Sequence, residues 1–317
     1  MRLVVLGAGA IGSLFGGLLS EAGLDVVLIG RSSHVKAIKS HGLHINGVSG
    51  RRILKLRSEA KVSAIKEKSD IVLCTVKAYD TKQAAIDAKP LIGEDSLFLC
   101  IQNGLDVERE AAEVFGASRT ERGVTNNGVL FTKPGYINHT GLGDTLIGCS
   151  NKQWQKRIDG LVESLNKVGL PSKVTGDIQK VVWSKVLINV GINAIGALTH
   201  LRNGDLLARP HLKDLMRSAV NEGLNVADKL GLNFREEDIV EKTFKVAKAT
   251  SLNKNSMLQD LEKGRRTEID FINGAIEKTG KTIGVPTPVN STLTALLKGL
   301  ESRIGKEQTQ TGTISAF

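Results

Sequence analysis

The sequence predicts an α/β fold, with a doubly wound, mostly parallel sheet over residues 1–175 and an all-α second half over 176–317. Three observations predict it. Short β-branched apolar runs alternate with helical stretches in the first half, as in strands covered on both faces. A glycine-rich turn follows the first of these runs directly. Beyond Pro171 and Gly176 the strand pattern stops and the remaining periodicity is helical.

Leu3–Leu6 is the first strand, and Gly7-Ala8-Gly9-Ala10-Ile11-Gly12 leads from it into a helix. In that context the first glycine permits the tight turn and the second lets backbone approach a pyrophosphate. The third lets helix pack on strand, leaving N–H groups aimed at phosphate oxygens. Residues 7–12 are therefore expected to hold a dinucleotide. Met1 and Arg2 ahead of an uncharged stretch to Leu19 imitate a secretory signal, but five glycines interrupt it and no small-residue cleavage site follows, so the nucleotide turn is expected instead. The second strand, Val26–Ile29, ends at Gly30-Arg31-Ser32-Ser33, where NAD-preferring turns carry Asp or Glu. A guanidinium pairs with a 2′-phosphate that a carboxylate would repel, so Arg31, helped by Ser32, predicts NADPH over NADH.

Leu43–Asn46 and Arg52–Leu56 read as a small antiparallel excursion, and Ile71–Val76 and Leu97–Ile101 as further central strands. Tyr136–Thr140 and Asp144–Gly148 flank Gly141-Leu142-Gly143, which predicts a hairpin, and a helix follows from Trp154 to Val168.

Five helices are expected in the second half: Val181–Leu198, Leu212–Leu230, Ile239–Ala249, Leu258–Lys278 and Val289–Ser302. A polar tail from Lys306 to Ala316 is expected to lack fixed structure. On the first of them Lys185, Asn189 and Asn193 stand at i, i+4 and i+8, one polar stripe on an otherwise apolar helix. A buried lysine is costly unless something specific compensates, and burial makes it a more capable proton donor near neutral pH. The stripe therefore predicts a site lining a cleft. Ser256-Met257-Leu258-Gln259 has the form of a capping box. By period alone Glu268 reads as a solvated glutamate.

Hydrophobic residues make up 41% and charged residues 24% of 317 residues, ordinary globular values that exclude a disordered or fibrous chain. Cys74, Cys100 and Cys149 form no C-x-x-C pair and are expected reduced and structural, with no metal site and no disulfide, in a cytoplasmic protein. No membrane helix is expected. The net charge of +10 suits polyanions, but basic residues are scattered and aromatics are only 4%, so a nucleic-acid partner is not expected and phosphate- or carboxylate-bearing small molecules are.

Taken together, GAGAIG, VKAYDT from Val76, IQNG at Ile101, WSKVLINVGIN from Trp183, RNGDLL from Arg202 and SMLQDLEKGRRTEIDFINGAI from Ser256 closely resemble the ketopantoate reductase (2-dehydropantoate 2-reductase) family, from Met1 to about Leu300. The resemblance implies NADPH-dependent reduction of 2-dehydropantoate to (R)-pantoate, a step toward pantothenate and coenzyme A. It also implies a Rossmann domain joined to a helical domain like that of 6-phosphogluconate dehydrogenase, with the site in the cleft between them. Carried over by position, Lys185 matches the proton donor, while Asn189, Asn193, Asn203 and Ser256 match substrate contacts. Asn103 matches a residue serving cofactor and substrate. Gly7, Ala8, Gly9, Ala10, Ile11, Gly12, Arg31, Lys77, Val129 (through its backbone) and Glu268 match cofactor contacts. Many members have a proline where this chain has Ala194, which implies a straighter helix. Two alternatives remain open: reduction of another branched 2-oxo acid, and a catalytically silent NADPH-binding sensor. The sequence does not separate a monomer from a homodimer.

Overall fold

The computed structural model describes residues 1–234 and 238–311, with side chains through Ser302. The chain divides into two compact units, Met1–Val181 and Val182 onward.

The first unit contains β1 (Arg2–Leu6), α1 (Ala10–Glu21), β2 (Asp25–Ile29), α2 (Ser32–His41), β3 (Leu43–Gly47), β4 (Arg52–Leu54), β5 (Arg57–Glu59), β6 (Ile71–Cys74), α3 (Thr81–Ala88), β7 (Leu97–Cys100) and α4 (Val107–Phe115). It continues with β8 (Thr120–Thr125), β9 (Gly128–Lys133), β10 (Tyr136–Gly141), β11 (Thr145–Gly148), α5 (Gln155–Lys167) and β12 (Ser172–Thr175). Eight strands form the main sheet in the order β12-β11-β8-β7-β6-β1-β2-β5. Neighbours pair in parallel except β11, which runs antiparallel to β8. The central strands are apolar throughout because helices cover both faces: all four residues of β6 and of β7 are buried. Chain order reverses at β1, with β2 on one side and β6 on the other, and the crevice at the carboxyl ends of such strands is where doubly wound sheets bind ligands.

The expected hairpin over 136–148 does not form. β10 pairs antiparallel with β9 and parallel with β3, in a second sheet ordered β4-β3-β10-β9, whereas β11 joins the main sheet. The tight turn is instead Pro134-Gly135, where Gly135 takes φ +82°. Around Gly143 the chain crosses back to β8, with Asn126 N donating to Asp144 O at 2.9 Å. The antiparallel excursion exists as β3 and β4. β12 continues the strand pattern past Pro171, and β8 and β9 have no counterpart among the expected elements.

His34 on α2 is 2% exposed. Its Nδ1 accepts from Gly135 N at 2.9 Å, which leaves Nε2 to donate to Ser13 Oγ on α1 at 3.0 Å. One imidazole thus ties α2 to α1 and to the β9–β10 turn. Burial lowers its pKa from 6.5 to about 4, so the folded unit favours the neutral ring. The stabilisation is complete above pH 6.5 and is lost as pH falls from 6.5 toward 4. Thermal melts over that range are expected to show a pH-dependent decline that is shallower in His34→Asn; parallel declines in the two proteins would exclude His34 as its source.

The second unit is helical: α6 (Ile178–Thr199, whose first turn belongs to the first unit), α7 (Asn203–Leu207), α8 (Pro210–Lys229), α9 (Ile239–Ala249), α10 (Ser256–Glu262), α11 (Asn273–Ile283) and α12 (Pro288–Thr311). By length and composition α6 could cross a membrane, with a mean hydropathy of 1.6, but it is mostly buried inside the fold and is the core helix. Gly191 and Gly223 let neighbouring helices close on it, since a Cβ at Gly191 would stand 2.8 Å from Val220 and one at Gly223 2.5 Å from Leu187. Glu222 accepts from Val289 N and Asn290 N, satisfying two donors at the start of α12.

Two expectations fail in this unit. The helix anticipated over Leu258–Lys278 is broken: α10 ends before Gly264 (φ +60°), and a 3₁₀ turn at Ile269–Phe271 precedes α11. The cap of α10 is Asn255, whose Oδ1 accepts from Leu258 N at 3.0 Å, and not Ser256. At the carboxyl end α12 carries helical backbone to Thr311, into the tail expected to lack structure; Gly312–Phe317 lie outside the described residues.

Candidate active site

In the first unit the cofactor-side candidates gather at the carboxyl ends of parallel strands. Gly7 leaves β1 at φ +99°, and Gly7 N and Ala8 N both donate to Ile29 O at the end of β2, at 3.0 and 2.7 Å. The glycine turn therefore lies against the start of α2, where Arg31 occupies the N-cap position. Arg31, Ser32 and Ser33 are all exposed, and no acidic residue stands in the first turn of α2.

The three glycines of the turn differ in what they leave room for. A Cβ at Gly7 would meet Val76 N at 2.6 Å, and one at Gly12 would collide with Gly7 O and Thr75 Oγ1. At Gly9 the nearest atom would be 3.9 Å away, the residue is exposed, and its φ of −79° suits any side chain. The fold thus requires glycine at 7 and 12, but at 9 nothing in the protein does. α1 begins there with no side-chain cap and no acidic residue in its first turn, an N-terminus whose free N–H groups and dipole suit an anion. This cradle fits a dinucleotide pyrophosphate.

Three further residues complete this half. Lys77, half-buried, follows β6 and precedes the 3₁₀ turn Ala78–Asp80. Asn103, half-buried beyond β7, makes no hydrogen bond to any described residue through its amide. Val129 is half-buried on β9, opposite His139, and packs against the main hydrophobic core; it belongs to the second sheet, unlike the other candidates of this unit.

Sequence reasoning missed two supports. Thr75 Oγ1 lies 2.7 Å from Gly7 O and 3.0 Å from Leu6 O, clamping the glycine turn from β6; Thr75 directly precedes the VKAYDT motif. Arg122 is buried on β8 beneath the loop that carries Asn103, and nothing in the polar stretch Thr120-Glu121-Arg122 marks it from sequence.

In the second unit α6 carries the polar stripe as expected, though not all of it is buried: Lys185 and Asn189 are half-buried and Asn193 is 5% exposed. Neither asparagine amide hydrogen-bonds to a described residue. The Asn193 amide atoms are not fully closed to solvent, so they remain available to a polar ligand. Asn203 at the start of α7 is 6% exposed; its Nδ2 donates to Thr250 Oγ1 at 2.8 Å while its buried Oδ1 has no partner among the described residues. Ser256, relieved of capping by Asn255, presents an exposed hydroxyl at the first position of α10. Glu268 is 6% exposed, which overturns its reading as a solvated glutamate; it sits where the break between α10 and α11 turns into the 3₁₀ segment.

All three cysteines are free. Cys74 and Cys100 face each other in register on β6 and β7, and burial pushes Cys74 up to about 12 and Cys100 well above its usual value, so both are inert thiols. Among the described residues no cluster could hold a metal.

Comparison with known proteins places these features in context. The family model described as Ketopantoate reductase PanE/ApbA matches residues 3–152, and its companion, Ketopantoate reductase PanE/ApbA C terminal, matches residues 177–301. A 2-dehydropantoate 2-reductase of Pyrococcus horikoshii is 38% identical over 95% of this chain and 98% of its own. That of Archaeoglobus fulgidus is 36% identical over 95% and 98%. Among solved structures, a PanE/ApbA family ketopantoate reductase from Ralstonia eutropha superposes with a TM-score of 0.89 at 29% identity, covering 96% of this chain and all of the other. A D-mandelate dehydrogenase with NADH and anilino(oxo)acetate superposes at 0.90 and 26% identity, over 96% and 99%.

Proposed function

Since the chain belongs to the ketopantoate reductase family, whose members are oxidoreductases that use a nicotinamide cofactor, we propose that it reduces 2-dehydropantoate to (R)-pantoate with NADPH, in the cytoplasm. The observation that carries this is the pair of asparagines on α6, Asn189 and Asn193, in line with Lys185 and without hydrogen-bond partners among the described residues. Such a stripe suits a small ligand bearing a carbonyl and a carboxylate.

Residues 7–12 with Lys77, Asn103, Val129 and Glu268 would hold the cofactor, whose chemistry when bound would be hydride donation to the keto carbon. Negative charge then grows on the carbonyl oxygen, and Lys185 donates the proton that quenches it. Asn189, Asn193, Asn203 and Ser256 hold the carboxylate and hydroxyl groups of the substrate so that the keto carbon is presented in one orientation, a positioning effect. Arg31 and Ser32, at a helix start without acidic residues, take the 2′-phosphate that distinguishes NADPH from NADH.

A second reading is favoured by the likeness to D-mandelate dehydrogenase with NADH: the same groups would serve a different 2-oxo acid. Cofactor oxidation followed with 2-dehydropantoate, a panel of other 2-oxo acids and both cofactors separates the two. Preferential turnover of 2-dehydropantoate with NADPH is expected; turnover of another oxo acid alone would move the substrate, and tight NADPH binding without turnover would indicate a sensor. In Arg31→Ala the NADPH-to-NADH ratio of kcat/KM is expected to fall about 10- to 100-fold, the loss of a charge-assisted contact of ~1.5–3 kcal/mol. An unchanged ratio would remove Arg31 from the discrimination.

A further inference from the structure

Arg122 is a cation inside the first unit, its side chain 4% exposed. It stands on β8 in register with Cys100, the last residue of β7, and its guanidinium reaches past the end of that strand. Nη1 donates to Cys100 O at 3.2 Å, while Nη2 donates to Gln102 O at 2.5 Å and to Gly104 O at 3.0 Å. Glu108 on α4 supplies the counter-charge, with Oε2 3.4 Å from Nε. The carbonyls immediately before and after Asn103 are thus fastened to one rigid group.

The rest of that loop is fixed in ways that leave Asn103 free to act. Gln102 Nε2 donates to Thr81 Oγ1 and to Cys74 Sγ, both at 3.0 Å. Gly104 turns the chain at φ +107°. The Asn103 amide itself bonds to no described residue, so its placement comes through the backbone alone. A buried charge is tolerated when it is paired and hydrogen-bonded; here three hydrogen bonds go to carbonyls of one strand end and loop, two of them flanking Asn103, while Nε faces Glu108 without a hydrogen bond. We infer that Arg122 is a positioning residue for Asn103, holding that amide where it meets cofactor and substrate; this rests on the role proposed above for Asn103. Lysine cannot replace it, because a single ammonium lacks the planar fork that spans separate acceptors.

The test compares wild type, Arg122→Lys, Asn103→Ala and the double variant. Arg122→Lys keeps a cation beside Glu108 and is expected to melt cooperatively. Its kcat/KM is expected to fall about 10- to 100-fold, as for a reacting group displaced by about an ångström, and its NADPH affinity to weaken. In the Asn103→Ala background the same substitution is expected to cost less than about threefold, the signature of two residues acting as one. Equal losses in both backgrounds, or an Arg122→Lys protein that does not fold, would overturn the inference and leave Arg122 a residue of the fold. Failure of the wild type to turn over any 2-oxo acid would retire the proposed reaction instead, and NADPH affinities across the same four proteins would still decide the coupling.

Discussion

Replacing Lys185 by alanine is expected to lower kcat by about 10²–10⁴, the span usual for a lost general acid, while NADPH affinity stays within about threefold of wild type. The expectation follows from the placement of Lys185 on α6. It shares a stripe with two asparagine amides that no described residue engages, on a helix whose other faces are buried among apolar side chains. Removing the ammonium takes away the group that meets charge as it develops on the carbonyl oxygen, an interaction made mainly in the transition state, so the loss belongs in kcat more than in KM. A loss under about threefold would assign the proton to another group.

The second large effect separates two glycines of one motif. Gly7→Ala forces a side chain onto a residue at φ +99° and drives its Cβ to 2.6 Å from Val76 N, backbone that cannot yield. A loss of roughly 2–4 kcal/mol in stability is expected from strain and overlap together, visible as a lower melting temperature without ligand. Gly9→Ala meets nothing in the protein closer than 3.9 Å, so its unliganded melt should match wild type. Its NADPH affinity is expected to fall at least about tenfold, ~1.4 kcal/mol, because the added methyl occupies the approach to the pyrophosphate. Thermal melts with and without NADPH distinguish the two. A Gly9→Ala protein that binds NADPH normally would move the phosphates away from this turn.

Much of the first unit was legible because buried parallel strands announce themselves as unbroken apolar runs, as in Ile71–Cys74 and Leu97–Cys100. β8 was not, because Thr120-Glu121-Arg122 looks like surface. Its charges are absorbed locally: Glu121 accepts from Ser150 N, Ser150 Oγ and Asn151 N, and Arg122 is taken up by carbonyls, partners that only the folded chain brings near. The false hairpin over 136–148 arises from a glycine pair that resembles a tight turn, while the real turn at Pro134-Gly135 is a turn only because β9 pairs with β10 across it. On the second unit, the stripe Lys185–Asn189–Asn193 was legible from period alone, since one helix sets its geometry. Glu268 was not, because the helix expected around it breaks; at the other end of α10, Asn255 takes the cap and frees Ser256.

The pairing of β3 with β10 governs how the protein comes to be folded. His44 lies beside Tyr136 and Ile45 beside Ile137, partners brought together only across a long span of intervening chain. Contacts so distant in sequence close late, because loop entropy is lost before they form. On the ribosome, β3 and β4 emerge well before the strand that completes their sheet, and β6, β7 and β8 are synthesised in the interval. The helices of the second unit, built mainly on local hydrogen bonds, carry no such delay. The long-range pairings of the first unit, among them the turn at Pro134-Gly135 closing on His34, are therefore expected to form more slowly than the helices of the second.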